Sequence, residues 1–381
     1  MMADPSDIPV CVDGRLLDDG GAGTGVGQYA RTLVQALQLA GRVPLILGDG
    51  GHAARRSGHA KWIAALRPWA RNAGATPDGY QARDIFREAH VFFRHYGRIM
   101  PLRLPGPSGI MHWSYPLPIR IRGWRNLYTV HDVMPLDPDV PTPVDGRRLR
   151  VVLDRLAALG GSFVTVSNAA RQAIVDATGW PSGRVAVCHQ GVDIGDTTAG
   201  RHAPLPGGLQ SGGYLLYVGA VEARKNLVAL LDAYRASGIA TPLVISGPDG
   251  LDAEHINERI RDTPGAMRLG LQPRQAVLQL IASARALILV SLAEGFGVPV
   301  AEAMSLGTAV LSADIPALAE VGGGATLLLD PRDPAALRHG IIAIDRDVTL
   351  RDKLVRAGFE RAQHFGLESY AQRLAKLYGT T

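Results

Sequence analysis

The chain has 381 residues, 46% of them apolar, with a formal charge of +5 and two cysteines. That is length enough for two or three domains and far too apolar for a disordered chain. No stretch approaches the ~20 consecutive apolar residues that a membrane helix needs. The opening MMADPSDIPVCVDG lacks a basic segment followed by an apolar one, so no signal peptide is expected. Cys11 and Cys188 each lie in a strand-like apolar stretch, which points to buried thiols and a cytoplasmic protein.

Charge is unevenly spread. Residues 1–200 hold 22 Lys+Arg against 17 Asp+Glu, while residues 201–381 hold 18 of each. Between Arg94 and Arg125 there are six arginines and no acid, interleaved with Tyr96, Trp113, Tyr115 and Trp124. This stretch could coat a solvated face or lie on an anionic membrane surface, making the protein peripheral on the inner face of the cytoplasmic membrane. Nucleic acid is not an expected partner.

Short apolar strands alternate with helical patterns along the whole chain. The first half predicts strands at Pro9–Val12, Val43–Leu47, Gly109–His112, Leu127–His131, Phe163–Val166 and Val185–Cys188. The second predicts them at Tyr214–Val218, Pro242–Ser246, Ala266–Leu269, Ala286–Val290, Ala309–Ser312 and Thr326–Leu329. Such alternation makes parallel sheets with helices on both faces. The fold class is therefore α/β, with two Rossmann-like doubly wound domains facing a central cleft. The small and polar residues of 196–213 read as a linker between domains 1–195 and 214–364. The final helix, about 365–381, has no strand after it and is expected to pack back on the first domain.

Ligands of such sheets bind beyond the carboxyl ends of the strands. Asp19–Leu37 is a glycine-rich loop running into a helix, where Gly25 and Gly27 would let backbone amides approach phosphate or sugar. It never completes G-x-G-x-x-G. YTVHDVMPL puts His131 and Asp132 at a strand end, and VTVSNAAR does the same for Ser167 and Asn168, which also suit a helix cap. GAVEARKNL, from Gly219, sets Arg224 and Lys225 side by side. Two cations at a helix start oppose its dipole, and a bound diphosphate would explain them. In AEGFGVPVAEAMSLG, Gly295, Gly297 and Pro299 separate Glu294 in the turn from Glu302 about one turn into the helix. Asp137–Asp139 and Asp345–Asp347 are weak metal candidates, and no Cys/His cluster has zinc spacing, so no metal is expected.

EGFGVPVAE resembles the E-x7-E motif of retaining GT-B glycosyltransferases, most closely family 4. GAVEARKN, HDVMPL, VSNAAR, HQGVD and TGVGQYARTLVQAL follow that family's order. Departures are Val290 where proline is usual, Gln190 for asparagine, and no acid in GGGA at Gly322–Ala325. The resemblance implies a metal-independent hexosyltransferase without a resident cofactor. Its substrates would be a nucleoside diphosphate sugar, GDP-mannose or UDP-glucose, and a saccharide or lipid-linked saccharide acceptor in bacterial exopolysaccharide or lipopolysaccharide assembly. The first domain would take the acceptor and the second the donor. His131 and Glu294 would act at the reacting sugar. Gly25, Gly27, Gly219, Arg224, Lys225, Leu271, Phe296, Gly297, Val298 and Glu302 would bind the donor. Competing readings are a sugar-nucleotide epimerase, a non-catalytic nucleotide or lipid binder, and a glycosidase using the two glutamates as acid and nucleophile.

Overall fold

The computed structural model describes residues 8–17, 25–50, 69–138, 140, 142–195 and 204–379. The glycines of the N-terminal loop before Gly25, Asp139, and linker residues 196–203 lie outside the described residues, as do residues 1–7 of the N-terminus.

Two parallel sheets dominate. The first has eight strands. Its centre is β1 (Val10–Asp13), flanked by β2 (Leu45–Gly48) and β7 (Ile110–Trp113). Outward from β7 run β9 (Arg125–Thr129), β10 (Ser162–Thr165) and β11 (Val185–Val187). Outward from β2 run β5 (Gly79–Gln81) and then β4 (Gly74–Thr76), the one antiparallel pairing among the described strands. A small sheet of β3 (Arg71–Asn72), β6 (Met100–Arg103) and β8 (Ile119–Ile121) packs beside it.

The second sheet has six strands, β12 (Leu215–Val218), β13 (Leu243–Ser246), β14 (Ala266–Gly270), β15 (Ala286–Leu289), β16 (Val310–Ala313) and β17 (Leu327–Leu329). Their spatial order, β14-β13-β12-β15-β16-β17, is the doubly wound 3-2-1-4-5-6 order, with its switch point between β12 and β15. The first sheet switches between β1 and β7 in the same way.

Both sheets are buried because their strands are continuous apolar runs, LLYV and ALIL among them, with no polar face to show to water. Helix α1 (Gly25–Leu39) covers one face of the first sheet. The tail helix α12 (Leu367–Gly379) lies on α1, burying Tyr370, Leu374 and Tyr378, which recur at helical spacing. Beneath it the Tyr378 hydroxyl meets His112 Nδ1 at 2.6 Å, and Arg125 donates to the carbonyls of Leu377 and Tyr378.

Each of the twelve sequence-predicted strands has a counterpart within two residues at either end. Five more, β3 to β6 and β8, went unpredicted; they run two to four residues and carry Pro, Gly or Arg, too short for alternation to register.

Candidate active site

The first cluster sits at the switch point of the second sheet. After β12 the chain turns through Gly219 into a single 3-10 turn, Ala223–Lys225. Asn226, left-handed at φ 60°, breaks this turn away from helix α5 (Leu227–Ser237). Arg224 and Lys225 therefore stand outside the helix, and the expectation that they oppose its dipole is corrected. After β15 comes the turn bearing Glu294. The Leu292 N–H donates to the Arg224 carbonyl at 2.9 Å, locking the two turns together.

Glu294 is the hub. Its Oε1 accepts from Lys225 Nζ at 2.5 Å and from Ser291 Oγ at 2.7 Å, and its Oε2 lies 3.6 Å from Arg224 Nη1. Burial works against ionisation, but the charges of Lys225 and Arg224 outweigh it and hold the carboxyl below its ordinary pKa. Arg224 is held further by Glu222 at 2.6 Å and by the Ala293 carbonyl at 3.1 Å. The cations thus arrive with two carboxylates already on them.

Helix α8 (Val298–Leu306) starts at Gly297, where no side chain caps the N-terminus. Gly297 has φ 97°, a left-handed conformation that favours glycine, and a Cβ there would press on the end of the Leu318 side chain. Glu302 is the fifth residue of α8, past the first turn, and only 2% exposed. Its role is therefore not dipole compensation. Arg274, the first residue of α7 (Arg274–Ser283), brings Nη1 to 2.6 Å from Glu302 Oε1, yet off the line of a hydrogen bond, so that buried oxygen is left without one. Burial raises the Glu302 pKa against the opposing charge of Arg274. The Arg274 Nη2 donates to the Asp193 carbonyl at 2.7 Å, reaching the first sheet's side of the cleft.

Across the cleft, His131 follows β9. Its Nε2 donates to the Ser114 carbonyl at 2.9 Å, and its ring stands edge-on to Tyr29 at 4.7 Å. Burial lowers its pKa to about 4, so the imidazole is neutral at physiological pH, with Nδ1 bare. The loop after β7 that supplies this carbonyl is fixed by Asp13, at the end of β1. Asp13 accepts from Ser114 N at 2.5 Å and from Ser114 Oγ at 3.0 Å. Asp132 is shielded enough that burial raises its pKa, partly opposed by the Met134 N–H and by Arg224.

The carboxyl edges of the two sheets meet. A Cβ on Gly295 would lie 2.4 Å from the His131 carbonyl. Gly295 is thus required by contact between the domains, where the sequence suggested only approach of a ligand. Ser167 does two tasks: it caps α4 (Asn168–Thr178) through Ala170 N and donates to the Gly295 carbonyl at 2.7 Å. Beside it, Glu320 accepts from Asn168 N and Ala169 N at 2.8 Å each and pairs with His189 at 2.7 Å.

The remaining sequence candidates are dispersed. Gly25 opens α1 and is exposed, Gly27 is buried one step further, and Leu271 is 57% exposed just past β14. Val298 begins α8 half-buried. Phe296 packs its ring at 90° on Phe365, 5.4 Å away, leaving only its backbone to the cleft. Asp345 pairs with Arg285 at 2.6 Å and Asp347 caps a helix, so that second acidic pair is structural. In the Arg94–Arg125 stretch the tryptophans are core residues, Trp113 at 0% and Trp124 at 8% exposure, while Tyr96 and Tyr115 are half-buried, so the tryptophans add nothing to the exposed basic face. No described helix is long and apolar enough to cross a membrane.

Sequence reasoning missed Asp13, Arg274 and Glu320. Asp13 had a signal, a carboxylate ending the first strand; Arg274 and Glu320 acquire their partners only through chain crossings of 28 and 131 residues or more.

Residues 210–361 match the family model of glycosyl transferases group 1. The chain is 35% identical over 173 residues to the O-antigen chain mannosyltransferase B of Escherichia coli, covering 44% of this chain and 45% of that protein. Against a D-inositol 3-phosphate glycosyltransferase of Kribbella flavida it is 26% identical over 355 residues, 81% of this chain and 80% of that one. Sucrose-phosphate synthase from Thermosynechococcus elongatus superposes with a TM-score of 0.68 at 20% identity, over 97% of this chain and 98% of that one. The curated match of highest identity here thus spans less than half of its relative, and the structural likeness carries the fold alone. Residues 210–361, with the Arg224–Lys225 and Glu294–Glu302 turns, thus resemble the glycosyl transferases group 1, and the chain has the two-domain GT-B fold.

Proposed function

We propose that the protein moves a hexose, mannose or glucose, from a nucleoside diphosphate to an acceptor hydroxyl with retained anomeric configuration, in assembly of a bacterial surface polysaccharide. The observation that carries this reading is the buried Arg224–Lys225–Glu294 cluster at the switch point of the second sheet. A diphosphate arriving there takes over the two cations. Glu294 is then released toward the hydroxyls of the sugar. Glu302 Oε1, buried and lacking a hydrogen bond, suits the ribose hydroxyls as donors. The amides around Phe296–Val298, at the uncapped start of α8, add positive potential beside the phosphates.

In the transfer, the bond from the anomeric carbon to the diphosphate oxygen breaks and its electron pair leaves with the diphosphate. The acceptor oxygen attacks the same face, and its proton passes to the departing phosphate oxygen. Arg224 and Lys225 stabilise the charge that develops there, without calling on a metal. His131 offers a bare nitrogen that accepts a hydrogen bond from the sugar; fixed by Ser114 and neutral, it orients and does not donate a proton. The O-antigen mannosyltransferase likeness favours mannose and a saccharide acceptor.

A thermal-shift screen of GDP, UDP, ADP and their sugars tests the reading, since a ligand at 100 times its dissociation constant adds ~2.7 kcal/mol. One nucleotide should stabilise the protein, and its sugar should yield a glycosylated acceptor. Absence of any nucleotide effect would overturn the donor site.

A further inference from the structure

A cavity of about 510 Å³ opens at the carboxyl edge of the first sheet, walled by Arg15, Arg87, His90 and Arg94, with Asp49 and Asp84. Its cations come from two elements. Arg15 follows β1. Arg87, His90 and Arg94 lie on successive turns of one face of α2 (Ile85–Tyr96), whose other face buries Ile85, Ala89, Phe92 and Phe93.

These groups are held in place. The Arg15 guanidinium lies 5.7 Å from the centre of the Tyr115 ring, and its buried Nε has no hydrogen-bond partner. Arg148, on α3 (Gly146–Ala158), donates from Nη2 to His90 Nδ1 at 3.2 Å and to the His90 carbonyl at 3.0 Å. The proton of the neutral imidazole therefore sits on Nε2. Burial, then Arg148, Arg15 and Arg94, lowers the His90 pKa to about 4, a sign of concentrated positive potential. Arg87 is partly answered by Asp84 at 3.7 Å. Three lining arginines against two aspartates leave a surplus of positive charge, to which Arg148 adds from behind His90.

The cavity adjoins the reaction edge. Tyr115, under Arg15, is the neighbour of Ser114, whose carbonyl holds His131. Asp13 fixes that shared loop.

We propose that this cavity seats a phosphate group carried by the acceptor. Guanidinium forks match phosphate oxygens two at a time, and the His90 Nε2–H supplies a further donor. A neutral saccharide would leave the surplus positive charge of the cavity unanswered. The acceptor role rests on the transferase reading, but the phosphate seat does not.

The test uses the full chain carrying Lys225→Ala, which silences the donor turn. Glucose 6-phosphate is titrated calorimetrically at about 0.15 M salt, where long-range attraction is screened. Neutral phosphatidylcholine vesicles doped with a polyprenyl phosphate are floated in parallel. At least one phosphate probe should bind as it does to the wild type, while glucose and undoped vesicles do not. Binding of the soluble probe alone assigns a free sugar phosphate, and binding of the vesicles alone a lipid-linked carrier. Arg94→Gln, at an exposed position, and the pair with Arg15→Gln should weaken binding at least tenfold, with unfolding transitions confirming intact protein. Unchanged affinity in those variants, loss of binding on Lys225→Ala, or no binding of either probe would each overturn the proposal. If the seat binds phosphate but the wild type turns over no nucleotide sugar, the transferase reading fails alone.

Discussion

The two sides of the cleft handle charge in opposite ways. On the second sheet every cation of the site comes with an acid: Lys225 and Arg224 with Glu294, Arg224 with Glu222, and Arg274 with Glu302. On the first sheet Arg15, Arg94 and Arg148 press on a neutral His90 and outnumber the acids beside them, and His131 is neutral as well. A site of matched pairs can bind a charged ligand by exchanging partners, which keeps it stable at every stage. A site with surplus charge attracts its ligand outright. The contrast suits a donor that must be gripped and released at each turnover, and an acceptor that must be drawn in.

Breaking the paired side should have the largest effect. Lys225→Ala removes one of the two cations proposed to face the leaving diphosphate and strands Glu294 among fewer partners. Donor turnover should fall by ~10²–10³-fold, the range for losing one charge-stabilising group in a closed site. Steady-state kinetics with the nucleotide sugar from the screen measures it, and unchanged turnover would refute the diphosphate assignment.

The junction between the sides comes next. Gly295→Ala places a methyl 2.4 Å from the His131 carbonyl, backbone that cannot yield without moving a strand end. Overpacking of this kind costs ~1–3 kcal/mol. Opening the cleft relieves it, so the radius of gyration in solution scattering should rise while nucleotide affinity stays close to wild type. An unchanged scattering curve would mean that the two edges do not meet in solution.

Arg274→Ala probes a single pair. Burial already raises the Glu302 pKa and Arg274 opposes it, so removing Arg274 raises it further. In the proposed donor site the ionised carboxylate is the form that would accept from ribose hydroxyls. Nucleotide affinity should drop about tenfold, worth ~1.4 kcal/mol, and should fall off with decreasing pH sooner than in the wild type. Arg274→Lys should restore most of it. Calorimetry across pH decides, and parallel pH profiles would show that Arg274 merely packs.

Legibility followed the same divide. The strands of the second sheet are mostly apolar runs ended by Gly, Ser or Asp, and its two glutamates bracket a Gly-Phe-Gly-Val-Pro break whose helix start and stop, Val298 and Gly307, are written in Pro299 and Gly307 themselves. His131 was legible as a strand-end group for the same reason. Strands β3 to β6 and β8, between Arg71 and Ile121, are too short to show a period, and the small sheet of β3, β6 and β8 is joined by partners far apart along the chain. Nor could sequence reveal that Gly295 serves the facing domain, or that Trp113 is core and not a membrane anchor. The first depends on how the two sheets dock and the second on how the first sheet packs around Tyr128 and Phe163, and local pattern carries no trace of either.

Glu320 is the finest test of that docking. Burial disfavours its charge, yet His189 and the N–H groups of Asn168 and Ala169 overcome the penalty and lower its pKa to about 2, from an ordinary 4.5. The carboxylate of one side thus plugs the start of α4 on the other. A group that ionises more readily in the folded state lends its stability above the ordinary carboxyl range. That contribution drains away as pH falls from about 4.5 toward 2. Because the group is partly exposed, solvent screening reduces its worth to about 1 kcal/mol. Glu320→Gln should therefore lower stability by that amount at pH 7 and by progressively less as the medium is acidified, measured by denaturant unfolding. Equal stability of the two proteins at pH 7 would show that the helix start gains nothing from the charge, and that shape alone holds the edges together.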